Sequence, residues 1–206
     1  MMTEKHKVFI SYHHKNDQMF KEELLRLNDQ YDIFIDRSVD TGDIDEDLSD
    51  DSIRQKIRDE YLRDSTITIL LVGLETKNRK HIDWEIYSSM YDGQINKKSG
   101  VIVVNLPSIS CGYFTAPHGD TEKKYIYPTI KKWITIDSRA DYDCRYPHMP
   151  ARIIDNLLAS SAKISVINWE RLVEDHNTLA LLIELAHKGR GNCDYVLSTP
   201  MRRINS

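Results

Sequence analysis

The sequence lacks the features that mark several large classes of protein. Its three cysteines (Cys111, Cys144 and Cys193) are odd in number and far apart, and they form neither a CxxC pair nor a zinc-ligand spacing. The longest nearly apolar run, residues 67–74, is far shorter than the about 20 residues of a transmembrane helix. The N-terminal residues contain no signal-peptide core. These absences argue against a disulfide-stapled secreted domain and predict a cytoplasmic protein with no membrane association.

An excess of one charge is also missing. The chain has 28 Lys and Arg against 32 Asp and Glu, a net charge of −4, which excludes a strongly basic nucleic-acid-binding domain. Apolar residues make up 40% of the 206 residues and recur from end to end, so the chain can bury a core without disulfides. There is no internal repeat and no flexible linker. We therefore predict a single domain over residues 1–206.

Apolar periodicity in the first half predicts strands and helices in strict alternation. The strands are expected at residues 7–12, 31–36, 66–72 and 101–105, and the helices between them at residues 16–28, 48–63 and 79–92. The third strand is a continuous apolar run, as in a parallel sheet that is buried on both faces. This order predicts an α/β fold, a three-layer sandwich with a central parallel sheet and right-handed crossovers.

The second half is less regular and predicts a C-terminal elaboration of that sheet. Residues 106–150 are rich in Pro, Gly, Tyr and His, and we expect them to cover the cleft at the strand ends. The regular elements expected in this half are a short strand at 132–136, a helix at 151–158 after Pro150, a strand at 164–169 and a long helix at 170–188.

Ligands of parallel α/β sheets bind at the carboxyl ends of the strands. In this sequence those ends are followed by residues 11–16, 36–47, 73–81 and the segment after 106. The sequence contains neither GxGxxG after the first strand nor GxxxxGK[ST], which argues against a Rossmann dehydrogenase and a P-loop NTPase. The first and third strand ends also lack the acidic residues of a response-regulator receiver.

The stretch 36–51 holds eight acidic residues but does not match a calcium loop. When its alternating aspartates are placed at the first ligand positions, Leu48 falls where an EF-hand needs glycine and Arg54 where it needs glutamate. The pair His13 and His14 has no Cys or His partners at a metal-ligand spacing nearby. We interpret the acidic stretch as a solvated loop and expect no metal ion.

Three segments, in order, resemble the sequence boxes of Toll/interleukin receptor (TIR) domains. The run VFISYHHKND resembles box 1, with Asp17 at the aspartate of its F-I-S-Y-S-x-x-D pattern. The run FIDRSVDTGD resembles the second box and its loop, with Asp36 and Arg37 in reversed order and Gly42 at the loop glycine. The run ITILLVGLETKNRKHIDWEI resembles the strand and helix that carry the catalytic glutamate of TIR enzymes, which corresponds to Glu85 here.

The end of the third run is similar to the W-[VI]-x-x-E-I form of a bacterial TIR-like branch that includes the TIR proteins of Thoeris anti-phage systems, with His81 at the tryptophan position. The resemblance implies a flavodoxin-like TIR core at residues 5–106 and a family-specific extension at residues 107–206. It also implies that NAD+ is a substrate rather than a cofactor, and that it is cleaved between nicotinamide and ribose. The expected product is a cyclic or otherwise modified ADP-ribose that activates a separate effector protein, with self-association of the enzyme on activation.

The resemblance assigns Glu85 as the catalytic residue, and the chemistry is compatible with this assignment. Nicotinamide leaves from a cationic pyridinium without needing a proton, so one carboxylate that stabilises positive charge on the ribose is sufficient. On a helical wheel of about 100° per residue, Glu85 lies at the border of the apolar face formed by Ile82, Ile86 and Met90. Trp84 points away from that face, and we interpret it as an exposed contact residue.

Further site residues are expected near the same strand ends. The candidates for binding substrate come from box 1, the second box and the helix of Glu85: Phe9, Ser11, Tyr12, Asp36, Arg37, Gly42 and Asp83. The candidates for binding the pyrophosphate are basic residues on the flanking loops: Arg37, Lys77, Arg79 and Lys80. Core packing is the alternative for Phe9, and a solvated surface position is the alternative for each basic residue.

The sequence leaves two other functions open. A TIR domain without catalysis would be a protein-interaction module, and Glu85 would then be an ordinary residue at a helix boundary. An enzyme similar to nucleoside deoxyribosyltransferases shares the α/β layout and also places a carboxylate at the sugar. Such an enzyme would act on nucleosides and release no nicotinamide from NAD+.

Overall fold

The computed structural model of the chain describes residues 5–38, 48–62, 64–94 and 96–205. Five strands form one parallel sheet in the order β2-β1-β3-β4-β5. The strands are β1 (Lys7–Ser11), β2 (Ile35–Asp36), β3 (Ile67–Val72), β4 (Gly100–Asn105) and β5 (Ser165–Asn168). This is the flavodoxin-like strand order, so the predicted α/β fold with a central parallel sheet is confirmed.

Helices cover both faces of the sheet. In the described residues they are α1 (His14–Tyr31), α2 (Asp50–Lys56), α3 (Lys80–Met90), α4 (Asp120–Ile126), α5 (Arg139–Arg145), α6 (Ala151–Leu158), α7 (Trp169–Glu174) and α8 (His176–Gly189). Helix α2 continues directly into a π-helical segment, Ile57–Leu62. The apolar clusters place α1, α4, α7 and α8 on one face and α2, α3, α5 and α6 on the other.

The alternation of side chains along β3 explains these two layers. Ile67 and Ile69 pack in the cluster under α1 and α8, whereas Leu70 and Val72 pack in the cluster under α3 and α6. Every residue of β3 is buried, as predicted for the centre of a parallel sheet. Helix α3, which carries Glu85, is therefore fixed against the middle of the sheet.

The second strand is shorter than the sequence predicted. Helix α1 extends to Tyr31, which had been expected to begin that strand. The side chain of Asn28 accepts hydrogen bonds from the N–H groups of Ile33 and Phe34 and donates one to the carbonyl of Phe34. These bonds fix a turn after α1, and only the two residues of β2 remain to pair with β1.

The single long helix predicted at residues 170–188 is wrong. Helix α7 ends at Glu174 and α8 begins at His176, with Asp175 between them in extended conformation. The Asp175 side chain accepts a hydrogen bond of 3.0 Å from the N–H of Asn177, which is an N-cap interaction. The apolar periodicity runs through both helices and concealed this start signal.

The short strand predicted at residues 132–136 is also wrong, because these residues belong to no strand of the described sheet. Aromatic contacts hold the segment instead. The Trp133 ring packs edge-on against Phe114 at 5.9 Å and against Tyr127 at 5.7 Å between centroids. Thr115 forms an isolated antiparallel bridge with Val166 of β5.

Candidate active site

The candidate site lies at the carboxyl end of β1. The chain passes from β1 to β2 on one side and from β3 to β4 on the other, so the connections leave in opposite directions and open a crevice between β1 and β3. Ser11, the last residue of β1, lies beside Leu70 of β3 at this point. A ligand of this fold class is expected here.

Glu85 and Ser11, two of the predicted site residues, are hydrogen-bonded to each other. The Ser11 hydroxyl donates to Oε2 of Glu85 at 2.7 Å. The Glu85 side chain is only 4% exposed, and burial raises the pKa of its carboxyl to about 7, although the hydrogen bond from Ser11 acts in the opposite direction. Oε1 of Glu85 has no hydrogen-bond partner among the described residues.

A second carboxylate, Asp17, lies against the end of β3, although it was not among the predicted site residues. It belongs to the first turn of α1 and is buried, and its Oδ2 has no hydrogen-bond partner in the described structure. Both carboxylate oxygens lie only 2.5 Å from the place that a Cβ atom on Gly73 would occupy. Burial raises the pKa of Asp17 to about 6. The box 1 resemblance had already pointed to this aspartate.

The two aromatic candidates of box 1 are buried. Phe9 packs in a cluster with Trp84 and Ile57 behind the strand. The Tyr12 hydroxyl donates to Oε1 of Gln18 at 2.6 Å. In this conformation the surroundings of both rings are filled by protein side chains.

The second-box candidates form the exposed edge beside β1. Asp36 accepts a hydrogen bond from the N–H of Ser38, whose hydroxyl in turn accepts one from the N–H of Ile10. Arg37 forms an ion pair of 3.4 Å with Asp64. Gly42 lies outside the described residues.

Asp83 binds two arginines of the chain. Its carboxylate accepts hydrogen bonds of 2.8 Å and 3.0 Å from the guanidinium of Arg152 and one of 2.8 Å from the N–H of Arg202. Arg152 is buried and also donates to the carbonyls of Thr199 and Pro200. Both oxygens of Asp83 are therefore engaged in fastening the C-terminal residues to α3.

Trp84 is buried, so the prediction of an exposed contact residue is wrong. Its indole N–H donates to the carbonyl of Arg202 at 2.7 Å, and its ring packs with Ile57 and Met201. The helical wheel assumed one apolar face. Helix α3 instead buries a second side against α2, the π-helical segment and the C-terminal residues. The Lys80 ammonium lies over the Trp84 ring, 5.8 Å from its centroid.

Two of the predicted pyrophosphate ligands line a small cavity at the start of α3. The cavity has a volume of about 260 Å³, and its walls include Lys77, Arg79, Arg152 and Arg202 together with Asp83. Four basic residues and one carboxylate therefore line this cavity, and the excess of positive charge is a suitable environment for an anionic group. Arg152 and Arg202 also line this cavity, but they come from distant parts of the chain and belong to no sequence motif. The sequence therefore did not indicate them.

The described residues show no cluster of three His, Cys, Asp or Glu side chains that could bind a metal ion. In the same part of the chain, no helix has the length and apolar character needed to cross a membrane.

Residues 9–110, about half of the chain, match the family model described as Thoeris protein ThsB, TIR-like domain. The matched segment runs from Phe9 within β1 to beyond the end of β4 and contains both residues of the Ser11–Glu85 hydrogen bond. No curated protein shows significant similarity to the chain.

Proposed function

Residues 9–110 belong to the TIR-like domain family of Thoeris protein ThsB, and from this premise we propose that the chain cleaves NAD+ into nicotinamide and a cyclic or otherwise modified ADP-ribose. As a TIR-type defence protein, it would activate its effector partner through that nucleotide product. One observation carries the proposal. The Glu85 carboxylate lies at the carboxyl end of β1, hydrogen-bonded to Ser11 and with Oε1 lacking a hydrogen-bond partner among the described residues.

The reaction needs one well-placed carboxylate. The glycosidic C–N bond breaks with its electron pair going to the pyridinium nitrogen, which leaves as neutral nicotinamide. Positive charge then develops on the ribose, and the Glu85 carboxylate stabilises it while accepting hydrogen bonds from the ribose hydroxyls. A hydroxyl or base nitrogen of the same nucleotide, or another small molecule, then bonds to the anomeric carbon and gives up any proton it carried to solvent. Attack by water would instead give plain ADP-ribose, with its proton released in the same way. Ser11 orients the carboxylate during these steps.

The charge state of Glu85 follows from its burial. A carboxyl with a pKa of about 7 is partly protonated at neutral pH, and the protonated form stabilises no cation. The positively charged nicotinamide ring favours the ionised form when NAD+ binds, because opposite charges attract strongly in a buried site. The cleavage rate should therefore rise with pH through the neutral range.

The basic cavity at the start of α3 fits the pyrophosphate of the same substrate. Lys77 and Arg79 come from the loop after β3, on the same side of the sheet as the end of β1. Burial lowers the pKa of His13, which lies two residues after β1, and the positive charge of nearby Arg79 lowers it further. This link supports a substrate that extends from the Glu85 region towards the loop.

Burial of Glu85 supports a latent state. With 4% of its surface exposed, Glu85 is covered in the isolated chain, and NAD+ has to displace part of this cover. We expect self-association or another activating event to open the site, and therefore weak activity of the purified protein. Equal and high activity under all conditions would contradict this latency.

The test is nicotinamide release from NAD+ by the wild type and by Glu85→Gln, with the products separated by chromatography. Purified protein and cells expressing the chain under phage challenge should both be measured. We expect release by the wild type and loss in Glu85→Gln, with Glu122→Gln as a matched control, because Glu122 is also a buried glutamate bonded to a strand serine.

Three results would count against the proposal. Equal release by the wild type and Glu85→Gln would remove Glu85 from the mechanism. No release in infected cells would favour the interaction module, for which the burial of Glu85 would be ordinary packing. Transfer of a deoxyribosyl group between nucleosides, tested in parallel, would favour the deoxyribosyltransferase-like alternative.

A further inference from the structure

A cavity of about 690 Å³ lies at the other edge of the sheet, outside β5. Its walls come from residues 112–117, 130, 132–137, parts of 142–146 and 157–164, and Lys123, all within the C-terminal half. Glu85 does not line it, and β1 and β5 are separated by three strand spacings, about 14 Å in total. The cavity is therefore distinct from the candidate active site.

Five aromatic side chains line the cavity. The aromatic residues that line the cavity are Tyr113, Phe114, Trp133, Tyr142 and Tyr146. Phe114 stacks on Tyr127 with 4.1 Å between ring centroids, and Trp133 packs edge-on against both rings. These contacts preform the walls, and such rings offer flat apolar surfaces on which another planar ring can stack.

Positive charge is concentrated in the same walls. Among the described lining residues, Lys123, Lys132 and Arg145 are basic and Asp137 is the single acidic residue. Lys123 and Arg145 lie over aromatic rings, each 5.0 Å from a ring centroid, and neither forms an ion pair with a carboxylate in the described part of the chain. A local excess of cations in a chain with a net charge of −4 favours an anionic occupant.

We propose that this cavity is a second ligand site, which binds a nucleoside monophosphate with its base between the aromatic walls and its phosphate at Lys132 and Arg145. The cavity volume lies in the range of small-molecule sites, about 300–1,000 Å³. Arginine binds phosphate through two parallel N–H groups, and the aromatic walls supply the stacking surface for the base. The inference goes beyond NAD+ cleavage, because it concerns binding at a place where Glu85 has no part.

The test is titration of the full chain with AMP, followed by tryptophan fluorescence and by calorimetry. Trp133 is the reporter, because it lines the cavity whereas Trp84 and Trp169 are buried elsewhere. We expect saturable quenching with AMP and much weaker binding of adenosine, which lacks the phosphate. Replacing Lys132 or Arg145 by Gln should weaken AMP binding about tenfold, since each removes one charged contact.

Lys131→Gln is the matched control, because Lys131 is the exposed neighbour of Lys132 and does not line the cavity. It should bind AMP as the wild type does. If Arg145→Gln fails to fold, Lys132→Gln still decides the matter, since the Lys132 side chain is exposed.

Besides the Glu85→Gln result given below, three results would overturn the inference. They are an absence of saturable AMP binding by calorimetry, equal losses in Lys131→Gln and Lys132→Gln, and equal affinity for AMP and adenosine. Measuring AMP binding in Glu85→Gln separates this inference from the proposed function. Loss of AMP binding there would place the ligand at Glu85, whereas retained binding with no nicotinamide release in any variant would defeat only the proposed function.

Discussion

Each half of the chain contains a buried glutamate that accepts a hydrogen bond from a serine on a neighbouring strand. In the TIR-like half, Ser11 of β1 donates to Glu85 of α3 at 2.7 Å. In the C-terminal half, Ser165 of β5 donates to Glu122 of α4 at 2.5 Å. Burial raises the pKa of both carboxyls to about 7. The two pairs thus share their residue types, their burial and the direction of their pKa shift.

The pairs differ in how completely the carboxylate is satisfied. Glu122 accepts a second hydrogen bond of 2.8 Å, from the N–H of His118, so each of its oxygens has a partner. Glu85 has one such bond, and it lies at the crevice between β1 and β3. A raised pKa alone therefore does not distinguish a ligand-binding carboxylate from a structural one. What distinguishes Glu85 from Glu122 is that its Oε1, at the carboxyl end of β1, has no hydrogen-bond partner among the described residues.

The strongest test of the difference between Glu85 and Glu122 is to replace each glutamate by Gln and compare nicotinamide release. We expect Glu85→Gln to lose activity by about 100-fold or more, the usual effect of removing one group that stabilises transition-state charge. Glu122→Gln should stay within about twofold of the wild type, because Glu122 lies far from the crevice in the sheet order. A larger loss in Glu122→Gln than in Glu85→Gln would reverse the assignment.

Replacing one glycine in each region by alanine extends the comparison to the free energy of unfolding. Gly73→Ala places a Cβ atom 2.5 Å from both oxygens of Asp17, and we expect a loss of about 1–3 kcal/mol in the free energy of unfolding. Gly112→Ala meets nothing within 4 Å and should change that free energy by less than about 0.5 kcal/mol. Urea unfolding of both variants measures the difference. Equal stability would show that Asp17 has room to move.

The pH dependence of stability sharpens the comparison of the two carboxyls. Their native pKa values of about 7 lie above the ordinary 4.5, so the native state holds protons that the unfolded chain releases. The stabilisation that each group contributes is complete below pH 4.5 and is lost as the pH rises through 7. Each Glu→Gln variant should therefore gain stability relative to the wild type between about pH 5.5 and 8.

Thermal unfolding at these two pH values measures the effect. The double variant should show the sum of the two gains, because the groups belong to different regions of the fold. A wild-type difference that neither variant changes would mean that both carboxyls titrate at their ordinary pKa.

The smallest expected effect concerns the two serines. The Ser11 hydrogen bond lowers the pKa of Glu85, so Ser11→Ala should raise that pKa and move the midpoint of the pH–rate profile upwards. Ser165→Ala should leave the midpoint in place, since it acts on Glu122. Nicotinamide release measured between about pH 6 and 9 tests both. A downward shift in Ser11→Ala would contradict the role of Ser11.

The sequence predicted the elements that depend on local apolar patterns. Strands β1, β3 and β4 and helix α3 follow from continuous or periodic apolar runs, and the TIR boxes ordered them correctly along the chain. The strand ends pointed to Ser11, since parallel strands share one carboxyl edge, whereas the TIR resemblance pointed to Glu85 on the helix after the third strand. Elements that depend only on a short stretch of sequence were therefore predictable.

The errors come from contacts between distant segments. Trp84 was placed on a solvent face because its covering residues, Ile57 and Met201, come from separate parts of the chain. Arg152 was missed because it bonds Asp83 across 69 positions of sequence. A helical wheel of α3 shows neither the burial of Trp84 nor the bond between Arg152 and Asp83, because both depend on tertiary packing.

The bond from Trp84 to the carbonyl of Arg202 spans 118 positions, and it has a consequence for biosynthesis. During translation, α3 is made long before the residues that cover its indole ring and satisfy Asp83. Contacts of such long range also form late in folding, because a large loop has to close first. The helix that carries Glu85 is thus completed by residues made near the end of this sequence. A growing chain on the ribosome consequently leaves the indole ring of Trp84 and the carboxylate of Asp83 without these partners until synthesis has passed Arg202.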